Sequence, residues 1–469
     1  MSHKIIFGTD GWRGVIGQDF TFDQLLIVSF AAARYFSKHK KIQNGIVIGY
    51  DSRFLSQEFA HHVAIIIASA GIKVKLADKI STTPMVSLAV IKFKAAGGIV
   101  ITASHNPAKY NGFKLKGDFG GPMHPEMISK LEKILDPLQN NFEMPISLKS
   151  FEELIEKNKI EFTDLTSLYI KEIESKIELD LIESVKLKIL YDAMFGAGQG
   201  VPQLLVPSIK GIRNEYNPGF NRARPEPIAN NLFDLSNGVV IGDFDLGIAT
   251  DGDADRIGAV DETGQFVDSH RIFAIFLKYL VEHRLYKGEV AKSINISEII
   301  PKMCTKYNLK LYETPVGFKH LCRLMTEKNL IIAGEESGGL GIQNHIPERD
   351  GIFNGLLLAE IMSVRRMKLS ELVQELFDEF GEHHYHRIDV HMTNSEKEKL
   401  LNKFSSPIKK IGTFSVTRID KSDGFKFYVD DGWVMIRASG TEPLVRFYAE
   451  ADNPKKVRTL LAAVGANNK

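Results

Sequence analysis

Three times along this chain, short apolar runs of strand length alternate with stretches of helical periodicity. That alternation constrains the chain to α/β units built on mostly parallel strands. In the first unit Phe22 to Phe36 carries apolar residues at helical spacing, and Ile46 to Tyr50 reads as a buried strand ending at Asp51. Phe54 to Ala70 reads as a helix, with Ile72 to Ala77 and Ile99 to Thr102 as further strands. The pattern resumes with Val185 to Tyr191, a helix-like stretch after Gly200, and Leu246 to Ala249. A third round runs through Phe273 to His283, Glu289 to Ile294 and Leu330 to Ala333. After the helical Leu356 to Phe380 the texture changes, and from Arg387 shorter strands accompany one helix. The expected fold is α/β: three similar domains with mixed, mostly parallel sheets, then a C-terminal α+β domain.

A chain of 469 residues exceeds one ordinary core, so about two to four domains are expected. The polar stretch Asp136 to Lys149, the turn-rich Glu262 to Asp268 and Gly381 to His386 suggest boundaries giving domains 1–149, 150–262, 263–381 and 382–469. The charged run Glu152 to Glu178 reads as a solvated helical face. With 59 basic and 58 acidic residues the charge balances, which argues against nucleic acid or an anionic membrane as a partner. Cys304 and Cys322 are too few for a disulfide framework, so a reducing cytoplasm is expected. Met1 to Arg13 lacks the apolar core of a signal peptide, and no apolar run approaches a membrane span.

Chemistry concentrates where apolar strands end, the place where open α/β sheets bind ligands. Asp251-Gly252-Asp253-Ala254-Asp255-Arg256 follows Leu246 to Ala249. Its three alternating carboxylates converge on one cation if the backbone curls, and Gly252 and Ala254 leave room for the curl. Hard oxygens suit Mg²⁺ or Ca²⁺. An EF-hand loop is excluded, because its sixth position is Arg256 where a glycine is needed. Thr102-Ala103-Ser104-His105-Asn106-Pro107 places a serine at another strand end as a candidate phosphoryl acceptor, without the Gly-x-Ser-x-Gly elbow of an esterase. Lys114 lies ten residues on; near a cationic site its pKa falls and it serves as general base and acid. Arg437-Ala438-Ser439-Gly440-Thr441-Glu442, with Arg446, offers guanidinium groups, hydroxyls and backbone N–H groups as a phosphate cradle. Gly334-Glu335-Glu336-Ser337-Gly338-Gly339 presents carboxylate and hydroxyl groups suited to vicinal sugar hydroxyls. Read singly, each segment is also compatible with an ordinary structural turn.

Together and in this order the four segments resemble the signature of the α-D-phosphohexomutase superfamily, and Phe7 to Gly14 looks like its N-terminal motif. The resemblance covers essentially the whole chain. It implies four domains around a central cleft, with one motif from each. It implies Ser104 as a phosphoserine, and Asp251, Asp253 and Asp255 as ligands of one Mg²⁺ together with an oxygen on Ser104. Lys114 would be the acid or base, His105 would support proton transfer, and Arg13 and Arg256 would neutralise charge. Glu335 and Ser337 would grip sugar hydroxyls, with Lys319 as a further substrate contact. Arg437, Ser439, Gly440, Thr441 and Arg446 would hold the phosphate that is not reacting. The implied reaction interconverts hexose 1-phosphate and hexose 6-phosphate through a hexose 1,6-bisphosphate, which is also the implied activator. The implied partner is a small-molecule hexose phosphate, acting on a monomer or homodimer. Relatives acting on mannose or glucosamine phosphate more often carry histidine where Gly339 stands, so glucose phosphate is expected first, a mannose-preferring or dual-specificity enzyme second, glucosamine phosphate third. Among other classes, a Mg²⁺-dependent phosphatase gains little from a second phosphate anchor. A binding protein has no use for Ser104 beside Lys114 and three carboxylates. A dinucleotide-binding oxidoreductase lacks its glycine fingerprint.

Overall fold

A computed structural model describes residues 4–8, 10–140, 142–143, 145–406, 408–438 and 444–466. Four sheets dominate it. The first has six strands, ordered from Trp12–Val15 through Tyr110–Lys116, Gly98–Ile101, Ile46–Tyr50 and Val74–Ala77 to Ile160–Thr163. Its last four strands pair in parallel, while Trp12–Val15 and Tyr110–Lys116 add antiparallel edges. The buried strands Ile46–Tyr50 and Gly98–Ile101 are apolar throughout, as strands covered on both faces must be. The helices Phe22–Phe36 and Ser56–Ser69 fill the stretches expected of them.

The second sheet is ordered Phe266–Val267, Ile257–Asp261, Leu246–Thr250, Ile189–Asp192 and Lys210–Ile212. The third is ordered Leu311–Thr314, Glu289–Ser293, Leu330–Gly334 and Leu340–Ile342. The C-terminal unit is an antiparallel five-stranded sheet with the helices Asn394–Ser405 and Pro454–Ala463. The α/β plus α+β architecture stands.

Several finer expectations are displaced. The first sheet takes in Ile160–Thr163, beyond the boundary expected at residue 149, so the charged run 152–178 contains a strand between two helices. Phe266–Val267 pairs with Ile257–Asp261, so the segment read as a second linker belongs to the second sheet. The helix after Gly200 spans only Val201–Leu205, and the longer helix of that unit is Phe233–Ile241. The helical stretch before the fourth domain is two helices, Gly351–Arg365 and Leu369–Phe380, separated at Arg366 in the left-handed region (φ 51°).

One hydrophobic core runs continuously from the first domain to the helix Leu369–Phe380, whereas the fourth domain has its own, from Phe404 to Ala466. Ile294 packs among Tyr428, Trp433, Met435 and Tyr448 where the two bodies meet. Polar contacts do the rest. Lys426 Nζ donates to the Ile294 carbonyl (2.7 Å) and Glu298 (2.9 Å), and the Glu298 backbone N–H donates to Glu450 (2.9 Å). No helix among the described residues is long and apolar enough to cross a membrane.

Candidate active site

The strand Gly98–Ile101 delivers Thr102 to Asn106 at its carboxyl end. The Ser104 backbone N–H donates to Thr102 Oγ1 (2.9 Å), and Ser104 adopts a left-handed φ of 52°. That turn aims its hydroxyl at the neighbouring domain, where Oγ donates to Asp251 Oδ2 at 2.7 Å. The hydroxyl and the acidic loop are thus buried against each other.

The acidic loop closes on itself. Asp251 Oδ1 accepts from the backbone N–H groups of Asp255 (3.0 Å) and Arg256 (3.2 Å), and Ala254 is left-handed at φ 57°. Asp251, Asp253 and Asp255 are completely buried, with one ligand atom from each lying within 4.8 Å of the others. Burial and mutual repulsion push the Asp251 carboxyl well above the usual carboxylate range. Asp253 Oδ1 and Asp255 Oδ1 are buried and accept no hydrogen bond among the described residues. Two orphan carboxylate oxygens beside a third carboxylate and a hydroxyl make a donor set that fits a hard divalent cation. Gly252 fits under Ser104 only as glycine, since a Cβ there would lie 2.3 Å from the Ser104 carbonyl oxygen.

Lys114 is buried and faces this loop, bonded to Asp253 (2.8 Å), Asp255 (3.1 Å) and Asp10 (2.7 Å). The expectation of a lysine with lowered pKa fails here. Burial alone pulls its pKa down, but Asp10, Asp253 and Asp255 outweigh it and hold the ammonium charged above the ordinary lysine range. His105 contacts Ser104 Oγ through Nδ1 at 3.5 Å. Burial first, then the field of Arg256, Arg13, Arg446 and Arg387, drives its pKa far below the ordinary histidine value, so the ring is neutral. Arg13 donates to Asn106 Oδ1 (2.5 Å), and Arg256 Nε lies 3.9 Å from both Asp251 and Asp255.

From the third domain, the strand Leu330–Gly334 delivers Glu335, whose Oε1 accepts from Ser337 Oγ (2.9 Å) and Arg349 Nη1 (3.2 Å). Lys319 stands half-buried in the first turn of the helix Phe318–Glu327. In the fourth domain Arg437 and Arg446 are direct neighbours on adjacent strands. Ser439, Gly440 and Thr441 lie outside the described residues.

Sequence reasoning passed over several groups that build this site. Arg53, fully buried, donates to the carbonyls of Ser104 (2.5 Å), Asn106 (2.7 Å), Pro107 (3.0 Å) and Tyr110 (3.1 Å), with Asp51 on its Nε (3.1 Å). Thr83 donates to Asp253 through Oγ1 (2.5 Å) and through its backbone N–H to the carbonyl (3.0 Å), pinning the acidic loop to the first domain. Arg349 reaches Asp10 (2.7 Å), Asp255 (2.6 Å) and Glu335, one from each of three domains. Glu336, next to Glu335 in the chain, takes Tyr385 (2.9 Å) and Arg387 (3.3 Å) of the fourth domain. Arg53, in Asp51-Ser52-Arg53 at the end of a predicted strand, was within reach of sequence reasoning; Thr83 carried no signal.

Family models cover this layout domain by domain. Those described as phosphoglucomutase/phosphomannomutase alpha/beta/alpha domains I, II and III match residues 4–141, 167–264 and 268–380, and the C-terminal domain matches 388–466. The chain belongs to the phosphoglucomutase/phosphomannomutase family. Among family members it is similar to a phosphoglucomutase/phosphomannomutase of Thermococcus kodakarensis, 29% identical over 97% of this chain and 96% of the relative. It is also similar to a phosphoglucosamine mutase of Carboxydothermus hydrogenoformans, 31% identical over 96% of each chain. A crystal structure of a putative phosphomannomutase from Thermus thermophilus superposes with a TM-score of 0.83 at 31% identity, covering 99% of this chain and 98% of that one. Phosphohexomutase chemistry is thus the family's common ground, and its members differ in the sugar they are named for.

Proposed function

We propose that the chain is a phosphoglucomutase-type enzyme, interconverting glucose 1-phosphate and glucose 6-phosphate through a phosphorylated Ser104 and a glucose 1,6-bisphosphate. The observation that carries the reading is the 2.7 Å bond from Ser104 Oγ to Asp251, which sets an acceptor hydroxyl against a buried carboxylate triad. Asp251, Asp253, Asp255 and Ser104 would hold Mg²⁺, which when bound offsets the charge that spreads over a transferring phosphoryl group.

The remaining roles belong to this chain's own groups. Arg13 and Arg256 face the phosphoserine oxygens, and neutral His105 donates or accepts at Ser104 Oγ. Lys114, held charged in this state, is the proton donor; acting as acceptor requires its three carboxylate partners to loosen their hold. Glu335 and Ser337, already hydrogen-bonded to each other, read sugar hydroxyls alongside Lys319. Arg437, Ser439, Gly440, Thr441 and Arg446 anchor the idle phosphate. After transfer the bisphosphate turns end for end and returns its other phosphoryl group to Ser104. Closure of the cleft excludes water, which separates a mutase from a phosphatase.

Gly339 supports glucose as the sugar. A Cβ there would lie 2.3 Å from Arg349 Cδ, so a histidine at this position would displace the arginine that holds Glu335. Glucose and mannose differ at one hydroxyl, so mannose phosphate is the nearest alternative, and the Carboxydothermus relative makes glucosamine phosphate a third arm of the test.

A coupled assay of the three sugar 1-phosphates, with and without 1,6-bisphosphate, decides among them. Glucose 1-phosphate should be the best substrate, and Ser104→Ala should lose about a thousandfold or more in kcat. Full turnover by Ser104→Ala, or release of inorganic phosphate in place of isomerised product, would sink the reading.

A further inference from the structure

The fourth domain carries a carboxylate whose position has no part in the roles assigned so far. Asp423 lies in the turn between the strands Arg418–Asp420 and Phe425–Val429. One of its oxygens, Oδ2, accepts from the Val316 backbone N–H of the third domain (2.8 Å) and from Arg437 Nε (2.9 Å). Val316 opens the turn into the helix Phe318–Glu327, whose first turn carries Lys319. A single atom therefore joins a segment on the sugar side of the cleft to an arginine of the phosphate side.

Arg437 and Arg446 stand directly opposite each other on paired strands, a like-charge placement that is unfavourable without compensation. Each has a carboxylate beside it: Asp423 for Arg437, and Asp389, at 3.5 Å, for Arg446. A carboxylate on Nε fixes the plane of the guanidinium. The Nη1/Nη2 edge of the same fork is the one that suits bidentate phosphate. A backbone N–H has no rotamers, so the bond from Val316 holds only while the third and fourth domains keep this separation.

We propose that Asp423 is a positioning residue: it aims Arg437 at the idle phosphate and ties that anchor to the Val316–Lys319 segment, making phosphate capture and approach of the fourth domain one event. This rests on the mutase reading. It goes beyond that reading by naming the group that couples the two domains.

The test uses the full chain with Asp423→Ala and Asp423→Asn, each checked for an unchanged thermal midpoint; the side chain is 20% exposed in a turn, so folding is not at stake. Asp423→Ala should raise the KM for glucose 1-phosphate about tenfold with kcat within threefold, since a charge-assisted bond is lost from binding. Asp423→Asn, which keeps an acceptor for Val316, should recover part of that loss. Calorimetric titration with inorganic phosphate should show a parallel weakening. A KM and a phosphate affinity within twofold of the parent in Asp423→Ala would overturn the proposal, as would a fall in kcat at unchanged KM. If the parent protein isomerises no sugar phosphate, the mutase reading fails, and the phosphate titration alone still decides the role of Asp423.

Discussion

At the scale of single residues, Arg53 shows how Ser104, the proposed nucleophile, is held. A left-handed serine costs about 1–3 kcal/mol, and it persists because its surroundings over-determine it. Four carbonyls of the Ser104–Tyr110 turn point at one buried guanidinium, which has five donors in a rigid fork. Lysine has three donors and no fork. Arg53→Lys should therefore fold, yet lose about a hundredfold in kcat at nearly constant KM, because Ser104 Oγ drifts from its line to Asp251. Steady-state kinetics beside a thermal melt check this, and wild-type kcat in a folded Arg53→Lys protein would refute it. Sequence could place Ser104, since an apolar strand followed by a small-residue turn is a local signal. It could not weigh Arg53 or Thr83, because what matters is whose carbonyl or carboxylate they meet across the fold, and spacing along the chain carries no trace of that. For Lys114 it chose the wrong direction: the three carboxylates that surround it outweigh its burial and the opposing field of Arg349.

At the scale of elements, the acidic hairpin turn and the serine turn interlock backbone to backbone. Gly252→Ala would push a methyl group into the Ser104 carbonyl. Neither side is a flexible side chain, so the two turns must part. The expected outcome is a loss of about 1–3 kcal/mol of stability and of most turnover. Urea denaturation and the coupled assay measure the two separately, and unchanged values in both would contradict the packing. The antiparallel strands Tyr110–Lys116 and Ile257–Asp261 went unread, but the buried parallel strands Ile46–Tyr50, Gly98–Ile101 and Leu330–Gly334 were legible, because continuous apolar runs announce them. Boundaries were not. Ile160–Thr163 alternates apolar and polar residues within a charged stretch, and only its pairing with Val74–Ala77 assigns it to the first sheet. Phe233–Ile241 was missed because it leaves Phe233, Val240 and Ile241 exposed and so lacks a clean polar face.

At the scale of the whole molecule, three domains share one core and the fourth is fastened to them largely by polar groups. Interfaces of that kind permit relative motion. One fastening is Glu450, which is buried, accepts from the Glu298 backbone N–H (2.9 Å) and pairs with His383 (2.9 Å). Burial opposes its ionisation, but His383 overrides that and brings its pKa down from the ordinary 4.5 to about 2. Because the folded value is the lower one, this carboxylate stabilises the fold above pH 4.5, and the contribution fades as pH falls towards 2. Glu450→Gln should therefore cost about 2–3 kcal/mol at neutral pH, with a smaller deficit at about pH 3.5. Hydrogen exchange of the fourth-domain sheet in both proteins tests this, and a gap that widens on acidification would count against it.

Arg349 has a consequence for how the protein is made. Its guanidinium joins Asp10, Asp255 and Glu335, so the centre is wired together by a group that leaves the ribosome after about three quarters of the chain. A nascent polypeptide carries its serine for about half of synthesis, and its acidic turn for about a fifth, before this clasp is translated.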